Sequence, residues 1–167
     1  DKDQDTYIAV EHAGDTDSIT FTTAGTTYFA FKNGRIEILN AGNSVYLGQD
    51  AGTLDDLTSN HNVGIGHQAL TNATSGSYNV ASGPGALAAL TTGSYNTAIG
   101  NDAGSSITSK NYNTAIGSGA LKSNTGAYNA ALGAGGLYSN TTGEFNTAIG
   151  YQALYHNTTA SDNTGLG

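Results

Sequence analysis

The 167-residue sequence predicts an all-β fold: a parallel β-solenoid, or β-roll, of about seven 17-residue coils behind a small N-terminal β-meander cap. Three observations predict it. A pentapeptide returns at near-constant spacing, each column of the repeat keeps its residue type, and the composition cannot fill a conventional core.

The pentapeptide NTAIG stands at Asn96–Gly100, Asn113–Gly117 and Asn146–Gly150. Near copies are NVGIG from Asn62, NVASG from Asn79, NAALG from Asn129 and NTGLG from Asn163, with the looser NSVYLG from Asn43. The closing glycines fall at 48, 66, 83, 100, 117, 133, 150 and 167, so the spacings are 18, 17, 17, 17, 16, 17 and 17. The repeat domain is therefore placed at 44–167 and the non-repeating segment at 1–43.

Each coil is numbered here from its Asn as position 1, which puts the Gly at position 5. Period-2 alternation through positions 1 to 5 predicts a short strand, and Gly permits a corner after it. A 17-residue period is one turn of a β-solenoid, and seven coils at ~4.8 Å per strand make a rod about 34 Å long. Position 3 is small and position 4 is mostly Ile or Leu, which predicts position 4 as core and position 3 as a place of close backbone approach. Position 9 is Leu70, Leu87, Leu121, Leu137 and Leu154, but Gly in two coils (Gly52 and Gly104). Leu54 and Ile107 follow those glycines and are expected to replace the missing leucine. The residue before each Asn is aromatic or His from His61 to Phe145. Positions 10 to 15 read as Ser-, Thr-, Asn- and Gly-rich loop text.

Composition supports a thin solenoid. Gly is 24 residues, charged residues are 11%, Pro occurs once, and Cys, Met and Trp are absent. One coil offers about three large apolar side chains (position 4, position 9 and the aromatic) against an ordering cost of about 1–2 kcal/mol per residue. Several chains are expected to share a core, and a three-fold bundle is the natural closed arrangement.

In segment 1–43, Thr6–Glu11, Ser18–Thr23, Thr27–Phe31 and Arg35–Leu39 read as strands. Asn33-Gly34 is a type I′ hairpin signal, and Ala24-Gly25 a weaker turn. A meander here would cap the solenoid and block edge-to-edge growth.

The absence of Cys removes disulfides, thiolate chemistry and Cys-zinc sites. A net charge of −8 argues against nucleic acid. No stretch approaches the ~20 apolar residues of a membrane span, so no membrane insertion is expected. The lack of Met and the start at Asp1 are those of an excised or processed piece. Glycoside hydrolysis needs two carboxylates a few ångströms apart, but Asp50 and Asp102 share a column three coils apart, about 14 Å. No catalytic residue and no cofactor are assigned. For metal, Asp55, Asp56 and His67 are only weak candidates.

Beyond Ser44 the charged residues are Asp50, Asp55, Asp56, Asp102, Glu144, Asp162, Lys110 and Lys122 alone. The exposed faces must be amide, hydroxyl and aromatic. Position 10 ends in Tyr138 and Tyr155, with Tyr151 and His156 nearby in sequence. Flat rings beside amides suit sugar recognition, so Tyr138, Tyr151, Tyr155 and His156 form the candidate glycan site.

The NSVYLG, NVGIG and NTAIG copies resemble the head repeats of trimeric autotransporter adhesins. The stretch Asn146–Thr159 and the DTYI…ITFTTAGTTYF…NGRIEIL lead-in resemble phage tail-fibre and related surface-fibre proteins. The resemblance implies a homotrimer of side-by-side β-rolls and carries over no catalytic residue. It points to a phage tail fibre on the virion that binds a host-surface polysaccharide or glycoconjugate. The alternatives are a bacterial cell-surface adhesin, a polysaccharide-degrading tailspike, and an ice-binding solenoid whose Thr ladder at position 2 is broken by Ala130.

Overall fold

The computed structural model describes residues 42–56, 58 and 60–167 in full, and before them the backbone of four strands. Those four are β1 (Thr6–Glu11), β2 (Ser18–Thr23), β3 (Thr26–Lys32) and β4 (Arg35–Ile38), an antiparallel meander in chain order. Phe21 pairs with Phe29, and the register shifts between Phe21 and Thr22. The expected turns at Ala24-Gly25 and Asn33-Gly34 lie outside the described residues.

Eight three-residue strands then stack in parallel, in chain order. They are β5 (Val45–Leu47), β6 (Val63–Ile65), β7 (Val80–Ser82), β8 (Thr97–Ile99), β9 (Thr114–Ile116), β10 (Ala130–Leu132), β11 (Thr147–Ile149) and β12 (Thr164–Leu166). Equivalent residues pair, so Thr97, Ala98 and Ile99 face Thr114, Ala115 and Ile116. Backbone bonding continues beyond the strands. The Leu87 N–H donates to the Ala103 carbonyl at 3.0 Å, and the Thr91 N–H to the Thr108 carbonyl at 2.8 Å. The supposed loop text is thus laddered too, which satisfies backbone groups that an irregular loop would leave to water.

Corners sit at fixed columns. Gly48 to Gly150 close the strands at φ between 124° and 137°, a region closed to residues with a Cβ. Left-handed backbone recurs at position 7, position 9 and the residue before Asn, as in Asp102 (φ 53°), Leu87 (φ 49°) and Tyr95 (φ 60°). A leucine held there costs about 1–2 kcal/mol, and full burial of its side chain returns about 1.5–3 kcal/mol.

At Gly104, Ile107 stands in the missing leucine's place. It is fully buried, and its Cδ1 lies 3.0 Å from where a Cβ on Gly104 would be. The first coil solves the problem differently. Leu54 does not substitute; it is exposed. The ring of Tyr46 fills the space instead, 2.5 Å from a Cβ built on Gly52, and the glycine at 64 leaves room for it. Burial raises the Tyr46 phenol to about 12. With its folded pKa above the unfolded value of about 10, its contribution is complete below pH 10 and lost as pH rises towards 12. Spectrophotometric titration should find a tyrosinate forming near pH 12 that Tyr46→Phe removes, and the same variant should flatten the alkaline loss of stability.

The strand faces are reversed from the expectation. Position 3 is the interior: Ala81, Ala98, Ala131 and Ala148 are completely buried. Position 4 faces outward, with Ile65, Ile99, Ile116, Leu132 and Ile149 between 37% and 46% exposed. Ser82 interrupts that row. The rings before each Asn are about half exposed and stack as His61–Tyr78–Tyr95–Tyr112–Tyr128–Phe145, with centroids 4.8–5.2 Å apart. In the single chain the core is therefore not made of position 4 and the aromatics. It is Ala at positions 3 and 8, Leu at position 9, and the Asn of position 1.

That Asn column is a buried amide ladder. Asn62, Asn79, Asn96, Asn113, Asn129 and Asn146 are at most 1% exposed. Each Oδ1 accepts the backbone N–H of the next Asn at 2.9–3.0 Å. Each Nδ2 reaches a carbonyl of its own coil, such as Asn79 to Gly93 at 2.9 Å. Ser44 heads the column, its Oγ accepting the Asn62 N–H at 3.0 Å. Position 12, read from sequence as loop, is also interior. It is apolar in Ala73, Leu90 and Ile107, then becomes a second amide row at Asn124, Asn140 and Asn157. Buried amides persist because every polar atom finds a partner, the Oδ1 in the adjoining coil and the Nδ2 in its own.

Candidate functional site

The position-5 glycine turns the chain onto a second face, made by positions 6, 7 and 10. In the last coils this face holds a groove of about 270 Å³, just below the range of small-molecule sites, about 300–1,000 Å³. Three of the four expected residues, Tyr138, Tyr151 and Tyr155, line it together. His156 does not; it packs edge-on against the Tyr155 ring at 5.0 Å.

The floor is built by glycine. Gly119 and Gly135 occupy position 7, where Asp102 stands one coil before them and Gln152 one coil after. A Cβ on Gly119 would come within 3.2 Å of the Tyr138 ring, and one on Gly135 within 3.3 Å of the Tyr155 ring. The two rings lean back over these glycines and stack on each other at 4.9 Å and 7°. One face of each ring is thereby spent on the other. Tyr151 differs. It is 72% exposed and joins no ring stack among the described residues, so its faces are open. Of the three groove rings Tyr151 is the exposed one, and an open face is what stacking on a sugar requires.

Lys122 closes one side. Its Nζ lies 3.1 Å from Asp102 Oδ2 and 5.9 Å above the Tyr138 ring centroid. The Asp102 carboxylate, its nearest partner, holds the ammonium above its usual range. Asn101, Ser118 and Gln152 add amides and a hydroxyl. Sequence reasoning missed these contributors. The signal was available in column 7, which is polar at Asp50, Gln68, Asp102 and Gln152 and glycine at 85, 119 and 135.

The metal candidates are not brought together as a site. Asp55 and Asp56 sit in the widened first coil, where Asn60 Nδ2 donates to Asp55 Oδ1 at 2.7 Å and Thr58 Oγ1 to Asp56 Oδ1 at 2.7 Å. The Thr58 hydroxyl and N–H hold Asp56 below its usual range. His67 is exposed at position 6 of the second coil. Among the described residues no three His, Asp or Glu are grouped as metal ligands, and no helix is long and apolar enough to cross a membrane. Comparison with known proteins gives no matching family model, no similar curated protein and no similar solved structure, so the site is read from its own geometry.

Proposed function

We propose that the chain is a non-catalytic display and binding domain of a homotrimeric fibre, and that its groove attaches the fibre to a surface glycan. The observation that carries this reading is the break in the columns. Positions 6 and 10 turn to tyrosine only in the last coils, and those tyrosines line the groove. The setting favoured by the resemblance is a phage tail fibre bound to host polysaccharide. A bacterial cell-surface adhesin is the second setting. The N-terminal meander would serve as the cap.

Trimerisation is supported by the first face. A row of exposed Ile and Leu, broken at Ser82, and a stack of six half-exposed rings form the kind of apolar surface that partner chains cover. Three copies packed on this face would leave the groove, beyond the glycine corner, open to solvent. A hydrolytic role lacks support: Asp102 is the one carboxylate lining the groove, where glycoside hydrolysis uses two about 5–10 Å apart.

Light scattering after size exclusion should give three times the 16.9 kDa chain mass. Ile116→Asp, which the sequence suggested would bury an unpaired charge, instead places that charge in solvent in the single chain. The variant should keep its circular dichroism and run as a monomer. A wild-type monomer at micromolar concentration would overturn the trimer. Tyr151→Ala should abolish attachment to cells or glycans while leaving the trimer intact; undiminished attachment would overturn the groove reading.

A further inference from the structure

We infer that the groove selects uncharged oligosaccharides, and that the Asp102–Lys122 pair is its specificity element, reading a vicinal diol of a di- or trisaccharide laid along the coil axis. This rests on the groove being the glycan site. Position 7 sets the length: Asp102 and Gln152 close the two ends, and Gly119 and Gly135 lie between them without side chains. Three coil steps make that span about 14 Å, room for a short oligosaccharide beside the open ring of Tyr151.

The charge pattern chooses the class. Asp102 and Lys122 are 3.1 Å apart and both part-exposed at the groove wall. They present an acceptor and a donor side by side. A hydroxyl donates and accepts, so adjacent hydroxyls can give a proton to Asp102 and take one from Lys122. A uronate or sialate carboxylate can only accept. It would satisfy Lys122 and meet the Asp102 carboxylate as a like charge. No second cation lines the groove to compensate. The chain also carries a net charge of −8, which repels polyanions. The remaining lining groups are amides, hydroxyls and rings, suited to neutral hydroxyls.

The test is a printed glycan array carrying neutral oligosaccharides and matched sialylated or uronic-acid forms, probed with labelled wild-type protein and Asp102→Asn. An exposed ion pair adds little to stability, so the variant should melt with the wild type. Neutral glycans should bind and their acidic counterparts bind at least several-fold more weakly. Asp102→Asn should weaken the neutral hits roughly tenfold, as loss of a charge-assisted hydrogen bond would. Tighter binding of the acidic forms, strengthened further by Asp102→Asn, would overturn the selectivity while leaving glycan binding standing. Neutral binding that ignores Asp102→Asn would overturn the role of the pair. An array silent to neutral and acidic glycans alike would overturn this inference together with the glycan reading beneath it.

Discussion

Replacing Gly117 with alanine is expected to melt the middle of the stack. Two separate penalties meet at this residue. Its φ of 129° lies where a Cβ is strained whatever the surrounding space. The space is also taken: the new Cβ would stand 2.5 Å from the Gly133 carbonyl carbon and 2.7 Å from the Ala134 nitrogen. Both obstacles are backbone and cannot rotate away. Strain of about 1–3 kcal/mol for the dihedral adds to about 1–3 kcal/mol or more for the overlap. The sum is a large share of the roughly 5–15 kcal/mol that holds a typical domain. The melting temperature should fall by about 10 °C or more. Ser118→Ala, one residue on and exposed, is the control, and a similar loss there would refute the explanation.

Asn113→Ala should cost nearly as much, for a different reason. Asn113 Oδ1 accepts the Asn129 N–H at 3.0 Å and Asn124 Nδ2 at 3.2 Å. Its Nδ2 donates to Asn96 Oδ1 at 3.2 Å and to the Gly126 carbonyl at 3.1 Å. Alanine removes these four and a fifth, to the Asn111 carbonyl at 3.3 Å, and leaves the Asn129 N–H buried without its acceptor. Each orphaned buried group costs about 1–3 kcal/mol, so a loss of about 3–5 kcal/mol is expected, read from chemical denaturation. Asn72→Ala is the comparison. Asn72 also donates across coils, to the Ala88 carbonyl at 2.7 Å, but from an exposed position where water can replace it. Its loss should stay near 1 kcal/mol or less. Equal losses at the two sites would show that burial of the amide row is not what matters.

The architecture was legible because the columns are. Successive coils place like residues over like, so a spacing of 17 with a conserved NxxxG frame already fixes strand position, parallel pairing and register. What the sequence left open was which side of each strand points in. A period-2 pattern reads the same from either face, and the bulkier Ile of position 4 looked like core beside the Ala of position 3. The deciding fact is the Asn of position 1, on the same side as the Ala. An asparagine favours the interior only when equivalent amides lie above and below it, and those neighbours are 17 residues away in the chain. Leu54 was misjudged for a related reason: the space at Gly52 is filled by Tyr46 from the strand, not from the residues that follow the glycine. At the groove, Tyr138 and Tyr155 stood out as one column. That their stacking spends one face of each, and that Tyr151 stays exposed, depends on ring orientation, which no column records.

The amide rows also make coils interchangeable. The bond that Asn79 receives from Asn96 is the bond that Asn62 receives from Asn79, with the same atoms at nearly the same length. Excising Asn79–Tyr95 would join Tyr78 to Asn96 through the same Tyr-Asn junction and seat Asn96 directly on Asn62. Length in this molecule is thus a digital quantity. Duplication or loss of one unit changes the length of the stack in steps of about 4.8 Å while the position-1 amide row stays continuous. If the groove binds as proposed, selection can tune how far it is held from its base independently of what it binds.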